Sequence, residues 1–92
     1  MTTVPATRPR LVIVDDERHI CEIIVESLAG ENYDVESFSD AQKAIAYLRE
    51  KPVDLVVTDL VMGDVSGVEV LETALTTQED AVVILMTAYP TV

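Results

Sequence analysis

Ninety-two residues, nearly half of them apolar, can build one small hydrophobic core but not two. Seventeen acidic against six basic residues leave a net charge of −11, which excludes an electrostatic grip on nucleic acid or on an anionic membrane; any DNA contact would belong to another domain or chain. The single cysteine, Cys21, forms no internal disulfide, and no run of about 18 apolar residues or signal-peptide pattern occurs, so the chain is expected to be cytoplasmic and to have no membrane partner.

Residues 1–9 carry Pro5 and Pro9, which suit neither a helix nor a central strand, and are expected to form a flexible arm ahead of a domain over 10–92. The apolar run from Arg10 to Val14 predicts a first strand that ends at Asp15 and Asp16. Between Arg18 and Ala29, Ile20, Ile23, Ile24 and Leu28 recur at helical spacing, with Glu22 and Glu26 opposite and Gly30 as the expected C-cap. Tyr33 to Phe38 alternates as a short, partly wet strand. Ser39 and Gln42 have the spacing of a capping box for a helix that buries Ala41, Ala44, Ile45 and Leu48, and Pro52 ends this helix by restricting Lys51.

Val53 to Met62 is the stretch around which the rest is organised. Leu55, Val56 and Val57 predict a strand covered on both faces, with Asp59 at its end and a loop over Leu60 to Val65. Ser66 and Glu69 form a second capping-box spacing, ahead of a helix whose expected stripe is Val68, Leu71, Ala74 and Leu75. After a polar connection, Ala81 to Met86 is the most apolar run in the chain and is expected to be a fully buried strand ending at Thr87.

This alternation of strands and helices requires right-handed crossovers and a parallel α/β sheet. An aspartate after a strand more often serves a turn or a helix cap. Here, however, two strands end in carboxylates, and a 2-1-3-4 strand order would place those strands side by side at the edge where open α/β sheets bind ligands. Asp15, Asp16 and Asp59 would then converge. At about 4 Å and an effective dielectric near 20, each pair of such charges costs roughly 4 kcal/mol, so the cluster must take up a proton or hold a cation. An oxygen-only set suits Mg²⁺ better than Zn²⁺. His19 and Cys21 are not spaced as a second ligand set, and read as a surface imidazole and a buried thiol.

With Mg²⁺ beside it, Asp59 could act as nucleophile toward a phosphoryl group, or the metal could activate water. Thr87, at the end of the neighbouring strand, is placed to donate a hydrogen bond to a phosphoryl oxygen on Asp59. Gly30, Gly63 and Gly67 are too far apart to form a phosphate loop, which argues against a nucleotide ligand.

The segments LVIVDDE (Leu11 to Glu17), DLVVTDLVMGDVSG (Asp54 to Gly67) and VVILMTAY (Val82 to Tyr89) together resemble the receiver domain of two-component response regulators, a flavodoxin-like domain similar to the chemotaxis response regulator. The resemblance implies that Asp59 accepts a phosphoryl group from a histidine kinase or histidine phosphotransfer protein. It also implies that Asp15 and Asp16 hold Mg²⁺, with Asp16 favoured as the direct ligand and the Val61 backbone carbonyl completing the protein ligands. Thr87 would be the switch hydroxyl, and Ala88 the small residue that leaves room for the phosphoryl group. An output domain or downstream protein would receive the signal.

Two departures stand out. Gly63 occupies a loop position that is usually proline, and the chain stops at Val92, before the fourth helix, the lysine-bearing fifth strand and the fifth helix of a complete receiver. The expected product is thus a truncated receiver over 10–92, not an enzyme acting on a separate substrate. One alternative is a non-phosphorylated interaction module. Another, less favoured, is a Mg²⁺-dependent phosphohydrolase, whose usual second acid two residues after the nucleophile is here Val61. Without the fifth strand, the edge of the fourth is expected to promote self-association.

Overall fold

A computed structural model describes residues 8–59 and 67–86. In chain order the elements are β1 (Arg10–Val14), α1 (Arg18–Ser27), β2 (Asp34–Phe38), α2 (Ala41–Glu50), β3 (Leu55–Asp59), α3 (Gly67–Thr77) and β4 (Val82–Met86). The strands form one sheet in the order β2-β1-β3-β4, and every neighbouring pair is parallel. The parallel α/β sheet is the one expected from the alternation of elements, and its order is the flavodoxin-like one that the resemblance implied. Of the expected N-terminal arm, residues 1–7 lie outside the described residues, and the Pro9 carbonyl accepts from the Asp34 N–H at 2.9 Å.

The two faces of β1 divide the core. Leu11 and Ile13 point to one side, where they pack with Cys21, Ile24, Val25 and Leu28 of the α1 segment and with Leu55 and Val57 of β3. Val12 and Val14 point to the other, with Val56, Ala41, Ala44, Ile45 and Leu48 of α2 and Val70 and Ala74 of α3. Burial of β1 on both faces is why it reads as a continuous apolar run.

Several local expectations are corrected. α1 ends at Ser27 with Leu28 as its C-cap, so Gly30 does not cap the helix. Instead Gly30, at φ +91°, is the third residue of a turn closed by the Glu31 N–H donating to the Leu28 carbonyl at 3.0 Å, a place that favours glycine. Ile23, expected in the buried stripe, is exposed, and Val25 packs toward the sheet in its place, beside Cys21, which is buried as expected. β2 begins at Asp34 and not Tyr33, which is exposed. The α2 cap is Asp40, whose Oδ1 accepts from the Gln42 N–H at 2.9 Å, and not Ser39. A carboxylate next to the helix start satisfies an orphan N–H at least as well as the hydroxyl before it. Lys51 is extended, φ −127° and ψ 144°, as a residue before proline should be.

The face of α3 is also different. Gly67, Val70, Thr73 and Ala74 are buried, whereas Val68 and Leu75 of the expected stripe are exposed and Leu71 is half-buried. Val70 and Ala74 join the core between α2 and the sheet. Ser66, the expected cap, lies outside the described residues. β4 is not the fully buried strand that its apolar run suggests: Val82, Ile84 and Leu85 are 60%, 47% and 42% exposed, as the expectation of an open fourth-strand edge implied. Among the described residues β4 is an edge strand of the sheet, and α1 packs over β1 and β2.

Gln78 was not singled out by the pattern, because an isolated glutamine in a polar connection carries no sequence signal. Its side chain is buried, and its Nε2 donates to the Leu48 and Lys51 carbonyls, each at 2.7 Å, while Oε1 accepts from the Val53 N–H at 2.8 Å. One amide therefore satisfies carbonyls at the end of α2 and ties them to the entry of β3.

Candidate functional site

Pairing of β1 with β3 decides which carboxylates meet. Val14 lies opposite Thr58 in a parallel register, so Asp15 and Asp59 emerge next to each other at the carboxyl ends of two central strands. Asp59 is still part of β3, and Asp15 and Asp16 begin the turn into α1. A carboxylate oxygen from each of Asp15, Asp16 and Asp59 lies within 4.8 Å of the others. The expected convergence of the three is therefore observed.

The three differ in environment. Asp15 and Asp59 are 6% and 8% exposed, whereas Asp16 faces solvent, so the cluster opens on the Asp16 side. The Asp15 carboxylate is fixed by its own loop: Oδ1 accepts from the Glu17 N–H at 2.9 Å, an Asx turn, while the Asp15 N–H donates to the Phe38 carbonyl of β2 at 3.0 Å. Burial pushes the Asp15 carboxyl above its ordinary value of 3.8; the Glu17 N–H opposes this, and the charges of Asp59, Asp16 and Glu17 add to it.

Cys21 sits behind this turn, buried, with its thiol donating to the Asp15 carbonyl at 3.4 Å and the Phe38 carbonyl at 3.6 Å. Burial and the nearby Asp15 charge push the thiol pKa up, which keeps it a neutral donor. The sequence reading of Cys21 as a small buried residue agrees, but its link to Asp15 was not foreseen, since it follows only from the way α1 docks. His19 is exposed and is not in the cluster. Thr58, fully buried next to Asp59, donates from Oγ1 to the Asp59 carbonyl at 3.1 Å and so braces the end of β3. Val61, Thr87 and Ala88 lie outside the described residues, as does Gly63.

The donor set is oxygen only. Opposite ligands of a hard divalent cation are roughly 4 to 5 Å apart for bonds of about 2.0 to 2.6 Å, so these three carboxylates fit such an ion and leave positions for water or a ligand. Among the described residues no helix is long and apolar enough to cross a membrane.

Comparison with known proteins agrees with this geometry. The family described as "Response regulator receiver domain" matches residues 11–92. Regulatory protein VanRc of Enterococcus gallinarum is 35% identical over 63 residues, covering 68% of this chain and 27% of the relative. Transcriptional regulatory protein ZraR of Klebsiella oxytoca is 34% identical over 82 residues, covering 89% of this chain and 18% of the relative. The chain thus spans about a quarter or less of the curated relatives' length. Among solved structures, response regulator protein TrrA of Thermotoga maritima, in complex with Mg(2+)-BeF, is 34% identical with a TM-score of 0.79, covering 88% of this chain and 70% of that one. TrrA has also been solved with histidine kinase ThkA; there it is 34% identical with a TM-score of 0.78, covering 90% of this chain and 72% of that one.

Proposed function

Because the chain belongs to the family of response regulator receiver domains, we propose that it is the phosphoryl-accepting part of a two-component phosphorelay, with Asp59 as the acceptor. The observation that carries this reading is the meeting of Asp59 with Asp15 and Asp16 at the carboxyl ends of β1 and β3. A carboxylate oxygen of Asp59 attacks the phosphorus of a phosphohistidine on a kinase or phosphotransfer protein. The P–O bond forms as the P–N bond breaks, and the imidazole leaves with the electron pair and takes a proton from water.

Asp15, Asp16 and Asp59, with the Val61 carbonyl that the family pattern adds, would hold Mg²⁺. When bound, the ion neutralises charge on the phosphoryl oxygens. The rest is the work of the chain: the Glu17 N–H and the Cys21 contact hold the Asp15 loop in place, and Thr58 steadies the backbone that carries Asp59. Thr87 supplies the switch hydroxyl and Ala88 the space beside the phosphoryl group. TrrA, solved in complex with histidine kinase ThkA, supports a histidine kinase partner, and the length of ZraR and VanRc supports a separate output domain in the parent protein. The setting is the cytoplasm, and the domain acts as a switch and not as an enzyme on a further substrate.

Incubation with acetyl phosphate and Mg²⁺, followed by intact-mass measurement, tests this. A hydroxylamine-labile adduct that is lost in Asp59→Asn is expected. Steady release of phosphate without an adduct would favour a phosphohydrolase, and no reaction with Mg²⁺ present would favour an interaction module.

A further inference from the structure

Of the three carboxylates that meet at the ends of β1 and β3, two are held by the fold and one is not. Asp15 Oδ1 accepts from the Glu17 N–H at 2.9 Å, and Asp59 is carried by β3 itself. Asp16 is exposed, and among the described residues its side chain makes no hydrogen bond or ion pair. An exposed aspartate has several rotamers open to it, yet one of its oxygens lies within 4.8 Å of those of Asp15 and Asp59. Its direction therefore depends on the backbone that carries it.

The peptide unit joining Asp15 to Asp16 is planar, so a group that grips the Asp15 carbonyl also fixes the Asp16 nitrogen and the course of the chain into the Asp16 side chain. The Cys21 thiol does this, donating to the Asp15 carbonyl at 3.4 Å, and the same sulfur lies 3.6 Å from the Phe38 carbonyl at the end of β2. Cys21 is 3% exposed and its own N–H donates to the Glu17 carbonyl at 3.3 Å, so the donor is itself held in place. From this we infer that Cys21 is the positioning residue of Asp16: its S–H, set on the Asp15 carbonyl, orients the peptide so that the exposed carboxylate faces its two partners, and thereby sets the affinity of the cluster for a divalent cation. The inference rests on the reading of the cluster as a metal site, and it concerns the donor at position 21 and not its bulk. An apolar residue of similar size would fill the space behind the turn but leave the Asp15 carbonyl without the thiol.

Calorimetric titration of the 92-residue chain and its variants with Mg²⁺, each at a temperature where circular dichroism shows it folded, tests this. Cys21→Val keeps the apolar volume and removes the donor. It should raise the Mg²⁺ dissociation constant about three- to fivefold, less than the roughly 10- to 100-fold typical of a group bonded to a metal-ligand side chain, because a thiol is a weak donor and acts here through the backbone. In case that variant does not fold, Cys21→Ala gives the same readout. Cys21→Ser keeps a donor and should bind Mg²⁺ within about twofold of the parent, even where urea denaturation in EDTA shows it to be less stable than Cys21→Val. A role in packing alone predicts the opposite order, with Cys21→Val binding as the parent does. That result would overturn the inference, as would equal weakening in the valine and serine variants. A parent chain that takes up no Mg²⁺ would remove the metal reading and the inference with it.

Discussion

Asp15 is the residue at which the fold and the proposed chemistry pull in opposite directions. It is buried beside two other carboxylates, and its carboxyl is held above its ordinary value chiefly by burial. A folded value above the unfolded one means the native state holds the proton more tightly. The contribution of Asp15 is therefore most favourable in acid and declines as pH rises from about 3.8 through the raised value. Asp15→Asn keeps an oxygen for the Glu17 N–H but removes the charge. In the absence of divalent metal it should raise the melting temperature at neutral pH by roughly 5 °C, the shift that about 1 kcal/mol produces in a domain of this size. Mg²⁺ affinity should fall in the same variant. Thermal melts with EDTA and with Mg²⁺ measure both effects, and a variant no more stable than the parent in EDTA would show that the cluster carries no strain. The three aspartates were legible in the sequence because each ends an apolar run, a pattern that survives without knowledge of packing. The Cys21 thiol contact was not, because nothing in the spacing fixes the rotation of α1.

At the scale of elements, the sequence was clearest where one face is sharply apolar and least clear where the apolar arc is broad. The α2 stripe of Ala41, Ala44, Ile45 and Leu48 is buried as expected. In α3, Val68, Val70, Leu71, Ala74 and Leu75 lie within an arc of about 160° at 3.6 residues per turn, but the buried side, Gly67, Val70, Thr73 and Ala74, is turned toward one edge of that arc, which spacing alone did not give. β4 differs for another reason: an apolar run reports an affinity for burial, and among the described residues β3 alone pairs with this strand. Gln78 gives the sharpest test at this scale. Gln78→Leu keeps much of the volume but leaves the Val53 N–H and the Leu48 and Lys51 carbonyls without their partner. Chemical denaturation should show a loss of about 2–4 kcal/mol, with Gln78→Glu also destabilised because a carboxylate cannot donate to those carbonyls. A loss below about 0.5 kcal/mol would mean that water or a shifted turn replaces the amide.

For the molecule as a whole, alternation and handedness require a parallel sheet, and the β2-β1-β3-β4 order makes the acidic cluster by setting β1 against β3. Metal and fold are then linked, since an ion that binds only the assembled cluster stabilises the native state. At roughly ten times its dissociation constant Mg²⁺ should add about 1.4 kcal/mol, visible as a rise of about 6–11 °C that Asp16→Ala abolishes. An unchanged melt in the parent would remove the metal from the account. The proposed function itself rests on where a phosphoryl group is attached. The most direct measurement is to treat the chain with acetyl phosphate and Mg²⁺, reduce the acyl phosphate with borohydride, and map the product by peptide mass spectrometry. The account predicts that Asp59 alone is reduced to homoserine, with the conversion lost in EDTA; reduction at another carboxylate, or at none while Mg²⁺ is bound, would contradict it.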